Sequence, residues 1–240
     1  QMLLDIGKLE ELPTNKIKGF NKRFVEALPT IYEHRCSIGK IGGFFQRVKE
    51  GTWMGHVVEH VALELQTFAG MDTGFGRTRE TSDKGIYHVV YSYIVSEVGK
   101  RAGELSVDLC EKLIRGDEYD LDAIVLELKE LRERYKMGPS TASIVEEAVS
   151  RGIPFTRLNR SSLVQLGYGT NQKRIRATIT GETSSLAVDF ACDKWETKEM
   201  LENHGIPVPK GVETRHYETA LKSVKKRGYP LVVKPSDGNH

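Results

Sequence analysis

The stretch Met54-Gly55-His56-Val57-Val58-Glu59-His60-Val61-Ala62-Leu63-Glu64-Leu65-Gln66-Thr67-Phe68 decides how the first half of the chain is read. Val57, Val61, Leu65 and Phe68 recur at helical spacing, so residues 54–69 are expected to form an amphipathic helix with one stripe against a core. Gly70 follows where a left-handed residue can end it. Before this helix, residues 1–50 read as a strand followed by mixed helix and loop. After it, the Gly-rich segment 74–80 leads into residues 86–95, whose β-branched and aromatic content suits a strand. Two amphipathic helices are expected at 104–115 and 120–136, the second with i,i+4 charge pairs on a solvated face. Met137-Gly138-Pro139-Ser140-Thr141 breaks that pattern and marks the expected junction between a domain over 1–136 and another over 137–240. Beyond it the pattern predicts helices at 141–151, 194–204 and 218–227. Strands are expected at 154–158, 174–180 and 230–234, with turns at 167–169 and 205–209. Strands alternating with helices predict sheets covered by helices, an α+β chain whose amino-terminal domain is mixed α/β.

The opening helix also carries a chemical pattern. His56 and His60 are four residues apart and project from one helix face, and with Glu59 they complete an H-x-x-E-H arrangement, the inverted zinc-peptidase motif. Two histidines so placed are suited to ligate Zn²⁺, and Glu59 beside them is the candidate catalytic group, a general base on water. The third ligand must come from elsewhere. Glu80, in Arg77-Thr78-Arg79-Glu80, is the first choice, and Glu64 and Glu97 are alternatives. The competing reading is two histidines and a glutamate hydrogen-bonded on a half-buried helix face.

Composition bounds the rest. The 240 residues are 39% hydrophobic and 28% charged, with 35 Lys and Arg against 33 acids, a net charge of +2. That balance exerts no general pull on nucleic acid or anionic membrane. Cys36, Cys110 and Cys192 are widely spaced and form no pair motif, which fits reduced thiols better than a disulfide framework. No apolar run approaches the ~20 residues of a membrane span. The expectation is a soluble, cytoplasmic protein. The strand-like opening Met2-Leu3-Leu4-Asp5-Ile6 and a close at Asp237-Gly238-Asn239-His240, just past an expected strand, suggest that both ends are cut.

Three later segments carry a resemblance: Val164-Gln165-Leu166-Gly167-Tyr168-Gly169-Thr170-Asn171-Gln172-Lys173-Arg174-Ile175-Arg176-Ala177-Thr178-Ile179-Thr180; Ala191-Cys192-Asp193-Lys194-Trp195-Glu196-Thr197-Lys198 with Gly205-Ile206-Pro207-Val208-Pro209; and Tyr229-Pro230-Leu231-Val232-Val233-Lys234-Pro235-Ser236-Asp237-Gly238-Asn239-His240. Together they resemble the opening of the ATP-grasp domain of the cyanophycin synthetase family, and the likeness extends back through residues 70–80. The last two segments suit many ATP-grasp ligases. The first points to this family.

The resemblance implies a truncated ATP-grasp domain over 137–240, with ATP and Mg²⁺ as cofactors and with the Mg²⁺ ligands outside the chain. Lys194 and Lys234 match the two lysines that hold nucleotide phosphates. The turn begun by Asp237, Gly238, Asn239 and His240 resembles the loop that covers them. Implied substrates are a cyanophycin polymer or primer and aspartate, joined through an acyl phosphate, with arginine added by a domain absent here. Homo-oligomers are expected of the family. Ser140 or Thr141, where a helix N-cap belongs, is a candidate seat for the polymer's carboxylate, or an ordinary cap. Lys173 and Arg174, with Arg176, either steer acidic substrate or sit on an exposed strand edge. Other readings are a glutamate–cysteine ligase fusion or another ATP-grasp amide ligase, a non-catalytic polymer-binding module, or a stand-alone zinc peptidase.

Overall fold

The computed structural model describes residues 1–236 and divides into two compact units, 1–136 and 137–240. The turn loop assigned to Asp237, Gly238, Asn239 and His240 lies outside the described residues.

The first unit is built around α3 (Met54–Phe68), after α1 (Phe20–Ala27) and α2 (Gly43–Glu50). Its sheet is antiparallel, in the order β1 (Met2–Asp5), β3 (Ile86–Tyr91), β2 (Gly76–Glu80). The Gly-rich segment is therefore a strand from Gly76 onward, pairing Thr78 with Val89 and Glu80 with Tyr87. The strand expected over 86–95 stops at Tyr91. Helix α4 (Ser96–Arg115) runs unbroken for 20 residues and contains the helix expected at 104–115. Helix α5 (Leu121–Tyr135) follows, capped by the Asp120 carboxylate on the Ala123 amide.

Helix α3 packs on the sheet and on α4, and it is buried on most of its circumference. Gly55 permits the approach to the sheet: a Cβ there would sit 3.3 Å from Thr78 Cγ2 and from the Tyr87 ring. Gly70 ends the helix with φ +79, and the amides of Gly70 and Met71 return to the carbonyls of Thr67 and Gln66, as expected of a left-handed stop. Val57, Val61 and Leu65 meet Phe20, Phe24, Leu28, Phe44, Val89, Val98 and Leu109 in one continuous core.

The second unit has a much smaller core, of Val145, Val164 and Ile175 with Met137, Ile144 and Leu166. Helix α6 (Pro139–Ser150) covers an antiparallel meander of β4 (Phe155–Arg157), β5 (Leu163–Leu166), β6 (Lys173–Arg176) and β7 (Ile179–Thr180). The single strand expected over 174–180 is a hairpin, because Ala177 takes φ +52 and turns the chain back. Helices α7 (Ser185–Cys192), α8 (Lys194–Asn203) and α9 (Tyr217–Arg227) follow. Sequence reading missed β5 and α7.

Residues 230–234 are not a strand. They run without ladder partners among the described residues, with Val232 and Val233 exposed. An apolar, β-branched run becomes a strand only when neighbours take its backbone hydrogen bonds. The N-cap expected of Ser140 or Thr141 is instead Gly138. Pro139 occupies the first helical position, where its fixed φ suits the helix and its missing N–H leaves nothing unpaired, so the start moves forward.

Candidate functional site

The burial of α3 poses the chemical question, since Glu59, His60, Glu64 and Gln66 are buried polar residues on a core helix. Such groups persist only with partners. His56 and His60 lie one turn apart, ring centroids 5.0 Å from each other, and both face a cleft of about 1100 Å³. His60 stacks on Phe44 of α2 at 3.6 Å. Its Nδ1 lies 2.8 Å from His34 Nδ1, and His34 Nε2 lies 2.9 Å from Glu64 Oε2. The Thr30 hydroxyl donates to the other Glu64 oxygen. His56 Nδ1 is 3.0 Å from Thr52 Oγ1, and its Nε2 is 3.4 Å from Cys36 Sγ.

Cys36 arrives on a tight turn with φ +52, an unusual backbone for a residue with a Cβ. Gly43 lets that turn close on α2, because a Cβ there would sit 2.5 Å from the Arg35 carbonyl oxygen. Burial, then the Arg47 charge, lowers the His56 pKa to about 4. Burial, followed by the other two histidines, holds His60 well below the ordinary imidazole range. Both rings are therefore neutral at pH 7 and keep a lone pair for a ligand. One donor atom each from Cys36, His56 and His60 lies within 4.8 Å of the others, the one such group among the described residues.

The donor-type atom that lies together with those of His56 and His60 belongs to Cys36, where the sequence pointed to Glu80. Glu80 is exposed on β2 opposite Tyr87 and does not join the cluster. Glu64 has both oxygens engaged by Thr30 and His34, and Glu97 lies in the first turn of α4. Cys36, His34, Thr30 and Thr52 escaped the sequence reading. The available signal was His34-Arg35-Cys36, two ligand-type residues on one short turn, twenty residues before His56.

Glu59 lines the same cleft but turns its carboxylate toward β2, accepting a 2.6 Å hydrogen bond from Thr78 Oγ1. Burial raises its pKa, while Thr78 and the Arg77 charge act the other way. Gly76 is part of that seat, since a Cβ there would meet Glu59 Oε1 at 2.4 Å. The cleft wall carries cations at Arg35, Arg47, Arg77 and Arg79 and anions at Glu33 and Asp72. It can accept a ligand bearing both signs of charge.

In the second unit, Lys194 opens α8 behind an Asp193 cap, and its amide and its Nζ both reach the Ser236 carbonyl, at 3.2 and 3.4 Å. That contact ties α8 to the segment bearing Lys234, which is itself exposed. Lys173 pairs with Glu182 at 3.3 Å on the surface, and Arg174 is exposed on β6. Ser140 is exposed in the first turn of α6, whereas Thr141 is 1% exposed.

A family described as "Cyanophycin synthase-like N-terminal domain" matches residues 1–115, which hold the whole cleft. Residues 1–115 belong to this family. Over its full length the chain is 48% identical to the cyanophycin synthetase of Geminocystis herdmanii, 47% to that of Synechocystis sp. and 49% to that of Trichormus variabilis. It spans 27–28% of the length of these cyanophycin synthetases. No helix among the described residues is long and apolar enough to cross a membrane.

Proposed function

We propose that this chain serves an ATP-dependent ligase that extends cyanophycin, its first unit engaging the polymer and its second opening an ATP-grasp domain. The observation that carries the reading is 47–49% identity, over the entire chain, to proteins named cyanophycin synthetase. In this reading Lys194 and Lys234 hold nucleotide phosphates, placing fixed cations where charge develops as a carboxylate is phosphorylated. The bond from Lys194 to Ser236 supports it, because it draws α8 and the Lys234 segment together. Ser140, Lys173 and Arg174 stand on exposed surface where acidic substrate can be steered. Aspartate joins the backbone carboxyl end of the polymer, and arginine is added by residues outside this chain. The test is ATP hydrolysis by the full-length enzyme with aspartate and a cyanophycin primer. Turnover lost in both Lys194→Ala and Lys234→Ala supports the reading, and wild-type turnover in both ends it.

The Cys36–His56–His60 group favours a second activity, zinc-dependent cleavage of the polymer. The residues fit the ion: two neutral imidazoles and a cysteine that binds as the thiolate, releasing its proton, are zinc donors, and three protein donors leave a position open, as in catalytic sites. A bound zinc would supply Lewis acidity toward a peptide carbonyl and water. Glu59, 4% exposed and raised in pKa by burial, takes the proton from the attacking water and returns it to the leaving amine. Arginines on the wall hold the polymer's carboxylates, and Glu33 and Asp72 hold its guanidinium groups. The expected results are stoichiometric zinc and release of short polymer fragments by the wild type, and in Glu59→Gln cleavage abolished with ligation intact. Cleavage that survives in Glu59→Gln overturns this part.

A further inference from the structure

Glu64 and His34 are drawn into no step of that chemistry, yet both are tightly held. Glu64 is 2% exposed on α3, and each of its carboxylate oxygens has a partner: the Thr30 hydroxyl on one, His34 Nε2 at 2.9 Å on the other. A carboxylate oxygen accepts, so the His34 nitrogen facing it carries the proton. In a neutral ring the remaining nitrogen, Nδ1, then holds a lone pair. That lone pair lies 2.8 Å from His60 Nδ1, which must therefore be the donor. Once Nδ1 of His60 is the N–H, its Nε2 is the nitrogen left with a lone pair. Phe44 is stacked on the ring at 3.6 Å, which hinders its turning over. The row Thr30–Glu64–His34–His60 thus dictates, bond by bond, which nitrogen of His60 keeps its lone pair.

We propose that Glu64 and His34 are positioning residues, a hydrogen-bonded relay that fixes the tautomer and ring orientation of His60 so that Nε2 is presented to a ligand beside Cys36 and His56. The proposal rests on the metal reading for its use, but the tautomer itself is a property of the metal-free chain. Histidine ligands elsewhere are held in this way, and losing such an outer partner lowers metal affinity by about 10–100-fold.

The test has two arms on the full 240-residue chain. In the first, selective ¹⁵N labelling of histidine and long-range ¹H–¹⁵N correlation, with metal removed, reads the protonated nitrogen of His60, assigned by its loss in His60→Gln. The relay requires Nδ1–H in the wild type and a shift toward Nε2–H in His34→Phe and Glu64→Leu. In the second, zinc affinity is measured by competition with a chromophoric chelator. The same variants are expected to weaken it about 10–100-fold, with circular dichroism showing whether they remain folded. Should either variant unfold, Thr30→Val, which removes only the outermost bond, is read in its place and is expected to move the His60 equilibrium in the same direction. Nε2–H in the wild type, or unchanged affinity in folded variants, overturns the relay. Nδ1–H in a wild-type chain that binds no zinc preserves the relay and sinks the metal reading instead.

Discussion

Gly76 offers the sharpest test of how the cleft is built. A methyl group there would lie 2.4 Å from Glu59 Oε1 and 2.8 Å from both its Cδ and its Cγ, so the clash is with most of the side chain. Glu59 cannot simply swing away, because it is 4% exposed on a core helix and bonded to Thr78. Overpacking of this kind costs about 1–3 kcal/mol, which lowers the melting temperature of a unit this size by roughly 4–12 °C. Gly74, two residues earlier, would place an added methyl with nothing within 4 Å, so Gly74→Ala should change stability by less than ~0.5 kcal/mol. Urea unfolding of Gly76→Ala, of Glu59→Ala and of the two combined completes a double-mutant cycle. If Glu59 is what the methyl strikes, truncating it should relieve most of the penalty, a coupling of about 0.5–3 kcal/mol. A Gly76→Ala penalty that is unchanged in the Glu59→Ala background refutes the reasoning.

His56 should make the metal-free fold sensitive to acid. Its pKa falls from 6.5 in the unfolded chain to about 4 in the fold, so as pH drops the unfolded chain takes the proton first. Its contribution to stability is complete above pH 6.5 and is lost progressively toward pH 4, amounting to at most about 3 kcal/mol. Urea midpoints in the presence of chelator should therefore fall less with acid in His56→Gln than in the wild type, and equal slopes contradict the assignment. In the second unit, Ala177→Asn should raise stability by roughly 0.5–1 kcal/mol, because asparagine tolerates the positive φ that Ala177 holds in the hairpin. Thermal melting that shows a loss speaks against the turn.

How much of this was legible in the sequence depended on how local the signal was. The helical stripe of Val57, Val61 and Leu65 and the glycine stop at Gly70 are local, and they place α3 within a residue of its observed bounds. The hairpin after β6 was hidden because Ala177-Thr178 carries none of the glycine or asparagine that usually marks such a turn. Helix α6 began earlier than expected because Pro139 was read as a breaker, when at a first helical position it is a starter. In the cleft, the i,i+4 spacing of His56 and His60 was readable from helix geometry alone. Cys36 and His34 were not, since they come from a turn that reaches α3 only through tertiary packing of α2 and its Gly43. Glu80 is near His56 and His60 in sequence order, but its strand register points it across to Tyr87 and solvent.

The four-residue row Thr30–Glu64–His34–His60 also separates what the fold needs from what the site needs. Apolar residues at these positions would fill the space beside Phe44 without any polar group to satisfy. Breaking the row at one point is another matter, since Glu64→Leu leaves the Thr30 hydroxyl and His34 facing an alkyl chain, and leaving buried hydrogen-bonding groups without a partner costs about 1–3 kcal/mol. Replacing the whole row at once, by Thr30→Val, His34→Phe, His60→Leu and Glu64→Leu together, removes the orphans along with the bonds. Replacing both partners of a hydrogen bond by apolar groups of similar shape is close to neutral or stabilising. The quadruple variant is therefore expected to be more stable than Glu64→Leu alone and close to the wild type by urea unfolding, while losing zinc affinity entirely. A quadruple variant as unstable as the single one would mean that the row is held by the demands of packing, and that its chemistry is incidental to why these residues are there.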